Sequence, residues 1–549
     1  MIFLSTLLIS LFITMALIPI FKTIAVKMNA MDFPNPRKVH LSPMPKIGGI
    51  AMAMGILVPV ALYANGDPLF NSILIGAWIV VIFGVVDDFK NLGYKGKFVG
   101  QVLAALVVIF YGGMKIQLLG DCMPEGAILP DLISIPLTLL AIVGVTNAIN
   151  LSDGLDGLAG GSSLLIFICI GYLAYTGLYQ PVNHLILVMA AAIIGSIFGF
   201  LRFNTYPATV FMGDAGSQLL GFLAITLSLG LTQCSTPLSP FLPLLLVGFP
   251  VLDTLTVMAE RISNGRSPFK ADQNHFHHKL LRLGLFHTEA VVTIYILTAF
   301  LVASAFVFRF HSEWFLLIFY LVFSGIIVFG FVISDRFGWT LQRFNLIDHA
   351  IKGRLKILKE RFILIKVSFH FVEFVLPLMV IISCLIPAEF PFYFSLIYLA
   401  LAAGTAITWI FFRDWLTGML RVAFYLLVPP VLWLGNTDLA TWIAPRALQV
   451  YNLAFVALAM FVVLTLKFTR RQKGFKATPM DFLILVIALV VPNLPDSTIL
   501  SFNMGFLAVK LIVLFFSFEI LIGELRGQTA RLGVAIVAAL LLAAVRGLL

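Results

Sequence analysis

The stretch Asn147-Ala-Ile-Asn150-Leu-Ser-Asp153-Gly-Leu-Asp156-Gly157-Leu-Ala-Gly160-Gly161 follows directly on an apolar run, residues 132–145. The run has the character of a membrane-spanning helix, and the polar stretch stands at its mouth. Asp153 and Asp156 are three residues apart, which puts both on one face if the helix continues. Gly154, Gly157 and Gly160 repeat at the same spacing and predict a bare strip where backbone or ligand comes close. Acids at such a mouth are costly, and they mark a functional site. The plainer alternative is a helix cap with a small-residue packing face.

Outward from that mouth the chain is apolar almost throughout. Its 549 residues are 60% hydrophobic and 11% charged, with a mean hydropathy of +1.04; a soluble domain is about half apolar and a quarter charged. About eighteen apolar runs approach the ~20 residues that a bilayer requires, the runs near Val107 and Leu485 being the shortest. The expected fold is therefore all-α, a polytopic integral membrane helical bundle of about eighteen transmembrane helices. Residues 1–21 read as the first spanning helix and not as a removed signal, since no basic residue precedes them and no small-residue cleavage site follows. The four cysteines are scattered and offer neither a disulfide framework nor a zinc spacing.

The formal net charge is +10. With the N-terminus outside and the runs alternating, 31 of the 36 Lys and Arg fall in inner loops. That bias orients the chain, and it speaks for anionic lipid or substrate, with no nucleic acid as partner. The polar stretches 34–49, 87–101, 147–161, 202–216 and 261–284 all land on the inner face. A channel or transporter is expected to show polar groups near the midplane or on both faces. The one-sided display fits an enzyme joining a soluble cytoplasmic substrate to a membrane-bound one.

Each stretch has its own chemistry. Asp87-Asp88 ends the third run and is followed by Lys90, Lys95 and Lys97, so acids and ammonium groups are offered to one cavity. Adjacent carboxylates repel, and a pair held this way can act on a phosphate as a base or through a cation. Asp214, in Phe211-Met-Gly-Asp214-Ala-Gly216, is the best metal candidate, with Asn204 ten residues earlier as a neutral oxygen donor. Magnesium, or manganese in its place, takes one or two carboxylate or carbonyl oxygens and shares substrate phosphates. Asp214 as a plain helix N-cap is the alternative. Residues 261–284 hold Arg261, Arg266, Lys270, His275, His277, His278 and Lys279. The histidine spacing lacks a second zinc-ligand pair, and with so many cations an anion cradle suits it better. Asp253, in the preceding run, is a weaker candidate. Arg37, Lys38 and His40 lie in a turn-rich loop whose phosphate-binding and positive-inside readings are equally good. Together these groups suit phosphoryl transfer, where positioning and charge neutralisation carry most of the catalysis.

The chain resembles the polyprenyl-phosphate N-acetylhexosamine-1-phosphate transferases. The resemblance rests on five ordered motifs: the Pro-rich loop ending at Gly49, Asp87-Asp88, Asn150-Leu-Ser-Asp153-Gly-Leu-Asp156-Gly, Asn204 to Asp214, and His275-Phe-His277-His278. The last has the form of the WecA/TagO branch. The resemblance implies an eleven-helix catalytic core and transfer of GlcNAc-1-phosphate, or a similar unit, from a UDP-sugar to undecaprenyl phosphate, releasing UMP and initiating cell-envelope polysaccharide synthesis. It implies magnesium at Asp214, with Asn204 as helper, and a lipid phosphate served by Asp87 with Asp88 in support. It implies phosphate contact at Lys97, a nucleotide site lined by Asn150, Asp153 and Asp156, and a pyrophosphate side at His275, His277 and His278. Asn147, Arg266 and Lys38 are further binding candidates. It places the enzyme in the bacterial inner membrane with its site facing the cytoplasm. The rival is a transporter or non-catalytic binder of the same compounds, with a scaffold whose site is dead as a third reading.

The expected domains are a catalytic core, 1–335, a basic linker or amphipathic helix, 336–366, and a transmembrane extension, 367–549. The extension lies outside the resemblance. Holding a partner, guiding lipid and stabilising a homodimer are the roles left open for it.

Overall fold

The apolar runs fold as helices because a chain in lipid must satisfy its backbone internally. The computed structural model describes residues 2–27, 31–32, 43–62, 67–90, 92–124, 126–177, 181–234, 237–267, 274–337, 363–437, 440–468, 504–525 and 530–548. The chain divides into two compact units, Met1–Gln342 with Thr478–Met480, and Arg343–Ala477 with Asp481–Leu549.

In the first unit, α1 (Ile2–Lys27) leads through a two-stranded antiparallel ribbon, β1 (Met31–Asp32) and β2 (Met44–Pro45), to the short helix α2 (Gly48–Ala61). Then follow α3 (Pro68–Lys90), α4 (Gly93–Leu106), α5 (Asp131–Leu151), α6 (Leu158–Thr176), α7 (Pro181–Asn204) and α8 (Gly213–Gln233). The short α9 (Leu242–Leu246), α10 (Gly248–Ser263) and the seven-residue α11 (Phe276–Arg282) precede two long helices, α12 (His287–Val307) and α13 (Glu313–Phe337).

The centre of this unit is α8, whose membrane-length window is entirely buried. Small residues let its neighbours come close. A Cβ on Gly49 of α2 would lie 2.7 Å from the Cα of Gly216, and one on Gly84 of α3 would lie 2.4 Å from the Cα of Ala215. On another side Gly221 meets the backbone of Thr146 in α5. These contacts draw the ends of α2, α3 and α5 to the start of α8.

The second unit is built from α14 (Ile363–Leu385), α15 (Phe392–Phe411), α16 (Leu416–Thr437), α17 (Pro445–Phe468), α18 (Met504–Leu525) and α19 (Ala530–Arg546). It has its own apolar core, in which Phe424 of α16 stacks on Phe518 of α18 with ring centroids 4.0 Å apart.

Among the described residues twelve helices are long and apolar enough to cross a membrane, which bears out an all-α membrane protein and leaves the expected count of about eighteen unconfirmed. The run near Leu57 makes only the 14-residue α2. The run near Val107 is interrupted by a π turn at Val107–Tyr111, and the run near Leu246 is divided between α9 and α10. The run near Leu485, and most of the segment expected as a basic linker, lie outside the described residues.

Candidate active site

The site grows from the N-terminus of α8. Gly213 holds a φ of +73°, and a Cβ there would also meet the Asp88 carboxylate at 2.7 Å, so glycine serves both backbone and approach. The chain reaches this turn along the segment after β2. Phe211 donates its amide to Pro45 O at 2.9 Å, and the carbonyls of Phe211 and Met212 accept Gly48 N and Gly49 N at 3.0 and 2.8 Å. No side chain of α8's own N-cap bonds the free amides of its first turn. Asp88, from the end of α3, supplies that cap: Oδ1 accepts Asp214 N at 2.9 Å and Oδ2 accepts Ala215 N at 3.1 Å.

Asp87 faces elsewhere. Its Oδ2 lies 2.9 Å from Lys97 Nζ, and the same ammonium donates to Asp214 Oδ1 at 2.8 Å. One cation from α4 therefore joins a carboxylate of α3 to a carboxylate of α8. Asn150 Nδ2 also donates to Asp214 Oδ1, and to Ser217 Oγ, at 2.7 Å each. A turn further along both helices, buried Gln101 Nε2 donates to Gln218 Oε1 at 3.0 Å. Asp87 Oδ1 is buried and has no hydrogen-bond partner among the described residues.

The stretch that opened the sequence argument is not one helix. Helix α5 ends at Leu151, residues 152–157 form a turn, and Gly157, at φ +78°, starts α6. Asp153 and Asp156 therefore do not share a helical face. Instead Asp156 ties the turn down: Oδ2 accepts Ala208 N at 2.9 Å and its amide donates to His287 Nε2 at 3.2 Å. Asn204 Oδ1 accepts Gly157 N and its Nδ2 donates to Val210 O, both at 2.9 Å. Both ends of the buried Asn204 amide bond backbone, and the residue lines the same cavity as Asp214. Nor is the glycine strip bare. A Cβ on Gly154 would strike His277 Nε2 at 2.2 Å, and one on Gly161 would strike Tyr295 OH at 2.0 Å.

The three histidines separate. His275 is buried, with Nδ1 3.0 Å from Asp253 Oδ2. His277 is buried against Gly154, and burial holds its imidazole well below the ordinary histidine range, with the neighbouring histidines adding to the effect. His278 alone of the three lines the cavity. Lys279 is paired with Glu260. Arg266 is exposed and does not line the cavity, nor does half-buried Asn147. Lys38 lies outside the described residues.

The cavity has a volume of about 340 Å³, within the usual span for a small-ligand site. Asp153, Asp156, Asp214, Asn150 and His278 line it. Sequence reasoning missed two further pairs there. Lys46 meets Asp32 at 3.1 Å, and Tyr206 stacks on His287 with centroids 4.5 Å apart. Burial lowers the Lys46 pKa, but the charge and hydrogen bond of Asp32, then Asp88 and Asp214, outweigh it and leave the ammonium raised. Asp153 is pushed up to about 7, first by burial and then by the charges of Asp214, Asp156 and Asp88. That is the signature of a pocket with more negative charge than its cations offset. No three His, Cys, Asp or Glu gather as a metal cage among the described residues. A hard divalent cation that takes one or two carboxylates and leaves its other positions to water and phosphate fits this donor set.

Comparison with known proteins places the chain among relatives of one kind. Residues 70–232 match glycosyl transferase family 4. The chain is similar to a probable undecaprenyl-phosphate N-acetylglucosaminyl 1-phosphate transferase of Bacillus subtilis, 35% identical over 63% of this chain and 96% of that protein. It is similar to the undecaprenyl-phosphate alpha-N-acetylglucosaminyl 1-phosphate transferase of Escherichia coli K12, 32% identical over 64% of this chain and 95% of that protein. A decaprenyl-phosphate N-acetylglucosaminephosphotransferase of Mycobacterium leprae is 35% identical over 54% of this chain and 83% of its own length. With one ammonium joining two acids at the head of a buried helix, and relatives matched over nearly their whole length, the chain belongs to glycosyl transferase family 4, among the polyprenyl-phosphate N-acetylglucosamine-1-phosphate transferases.

Proposed function

We propose that this chain transfers an N-acetylhexosamine-1-phosphate, GlcNAc-1-phosphate in the first instance, from a UDP-sugar to undecaprenyl phosphate. The products are undecaprenyl diphosphate sugar and UMP, and the lipid product initiates a cell-envelope polysaccharide. The basic loops support a bacterial inner-membrane location with the cavity opening to the cytoplasm. The observation that carries this reading is the Lys97 ammonium shared between Asp87 and Asp214.

An oxygen of the lipid phosphate forms a bond to the sugar-bearing phosphorus, and the bond from that phosphorus to the UMP oxygen breaks. A phosphate monoester has its second pKa near ~6 and needs little activation, so direct attack is the simpler course. Asp87, with one unpaired buried oxygen, holds the lipid phosphate and receives its remaining proton. Lys97 keeps Asp87 and Asp214 together and offsets charge as UMP leaves. Lys46 and His278 line the cavity where the diphosphate would lie. Asp214, with Asp153 close enough to feel its charge, would hold magnesium or manganese. A cation held there would supply positive charge against that developing on the phosphates.

The test is direct. Purified protein is given radiolabelled UDP-GlcNAc, magnesium and undecaprenyl phosphate. Lipid-soluble label with stoichiometric UMP supports the reading; binding of nucleotide sugar without turnover replaces the enzyme with a binder or transporter.

A further inference from the structure

Asp253 has no part in the chemistry above and does not line the cavity. It is only 4% exposed, yet both its oxygens are engaged. Oδ2 lies 3.0 Å from His275 Nδ1, and Oδ1 accepts the backbone amide of Phe276 at 2.7 Å. A buried carboxylate is tolerated only with such partners. Phe276 begins α11, and His275, its N-cap residue, gives the helix no side-chain cap. Asp253 therefore starts α11 from the neighbouring helix α10 and fixes the ring that precedes it.

The fixed start decides where the other histidines go. His277, one residue into the helix, is buried with its ring against Gly154; His275 and His277 lie nearly parallel, 7° apart, with centroids at 5.9 Å. Gly154 stands between Asp153 and Leu155, and all three line the cavity. We propose that Asp253, His275 and His277 are positioning residues: the carboxylate sets α11, and the His277 ring is the floor under the acidic turn 153–156. His278 is left as the histidine of this motif that meets substrate. The inference rests on the transferase reading only for its assay, and wild-type turnover, measured beside the variants, tests that reading by itself.

The experiment uses the full-length protein and three comparisons. Asp253→Ala is expected to lower kcat by about tenfold or more, as small displacements of a catalytic turn do. Asp253→Asn, which keeps an acceptor for Phe276 N, is expected to recover most of that loss. Asp253→Ala and His277→Ala combined are expected to cost little more than either alone, because they break one line of support. The third comparison does not depend on Asp253→Ala folding. Gly154→Ala introduces a Cβ against the ring and is expected to depress kcat, and adding His277→Ala is expected to restore part of it. Additive losses in the cycle, or a Gly154→Ala/His277→Ala protein no more active than Gly154→Ala alone, would overturn the proposal. Asp253→Asn as inactive as Asp253→Ala would also overturn it, since the charge itself would then be required.

Discussion

Asp88 closes the end of the helix that carries Asp214. Its two oxygens take the amides of Asp214 and Ala215, so a side chain of α3 does for α8 what no residue of α8 does for itself. Two adjacent acids have therefore divided their work, Asp88 holding backbone while Asp87 faces the ammonium. Asp88→Asn leaves one oxygen for two amides and aims an NH2 group at one of them. It should cost about 1 kcal/mol or more of stability, as lost caps and misdirected donors do. Turnover should fall with it. Asp87→Asn should remove turnover by about a hundredfold or more, as loss of a proton acceptor does, with little change in the unfolding temperature. Thermal unfolding in detergent beside steady-state kinetics separates the two; an Asp88→Asn protein of unchanged stability would exclude the capping role.

Lys97 balances two carboxylates at once, and its loss predicts an outcome that a simple binding residue would not give. In Lys97→Met, Asp87 and Asp214 face each other uncompensated. Turnover should fall by about a hundredfold, because the charge that steadies the departing phosphate is gone. Divalent cations, however, should bind more tightly, since an excess of negative charge draws them. Magnesium titration by calorimetry reads the second effect without any assay of activity, and weaker binding in Lys97→Met would defeat the account.

How much of this could be read from residues alone depends on whether the partners sit in one segment. The motifs around Asp87, Asp153 and Asp214 interrupt apolar runs, so their place at helix ends was legible, as was the unit they share. The helical spacing of Asp153 and Asp156 misled, because α5 ends at Leu151, before either acid, and residues 152–157 form a turn. A polar Ser152-Asp153-Gly154 directly after an apolar run was the signal for a helix stop. Lys46 with Asp32, and Tyr206 with His287, had no signal. Their members lie far apart in the sequence, and a lone histidine at a helix start looks like any other. The same holds for Asp253, whose partners lie 22 and 23 positions away.

Asp153 makes the site sensitive to pH. Its carboxyl is pushed up to about 7 by burial and by neighbouring carboxylates, against about 3.9 in an unfolded chain. Between those values the folded protein binds the extra proton, so this group's contribution to stability declines as pH rises and is fully adverse above about 7. Asp153→Asn should therefore match the wild type in stability at acid pH and exceed it at alkaline pH. Cation binding should run the other way. As pH rises through about 7 the cavity gains a negative charge, and magnesium affinity should increase. Asp153→Asn should flatten that dependence. Magnesium titrations at several pH values check the sign, and equal slopes in the two proteins would count against it.

In the second unit, Arg546 near the end of the chain holds the end of α14. One guanidinium nitrogen donates to Cys384 O at 2.8 Å, the other to Pro387 O and Ala388 O at 2.6 and 3.3 Å, while the group lies over Phe390 at 5.5 Å. The last carbonyls of a helix have no partners of their own, and a basic side chain there satisfies them and meets the negative end of the helix dipole. Arg546→Met removes these donors together and should cost about 2–3 kcal/mol, the penalty for leaving buried acceptors unpaired. Arg546→Lys should recover part, since a point ammonium cannot span three carbonyls as a planar fork does. Turnover should survive in both variants wherever they stay folded, because the described residues that line the cavity all belong to the first unit. Thermal unfolding and transferase rates on the same preparations decide it. A lowered rate in fully folded Arg546→Met would tie the second unit to the chemistry of the first.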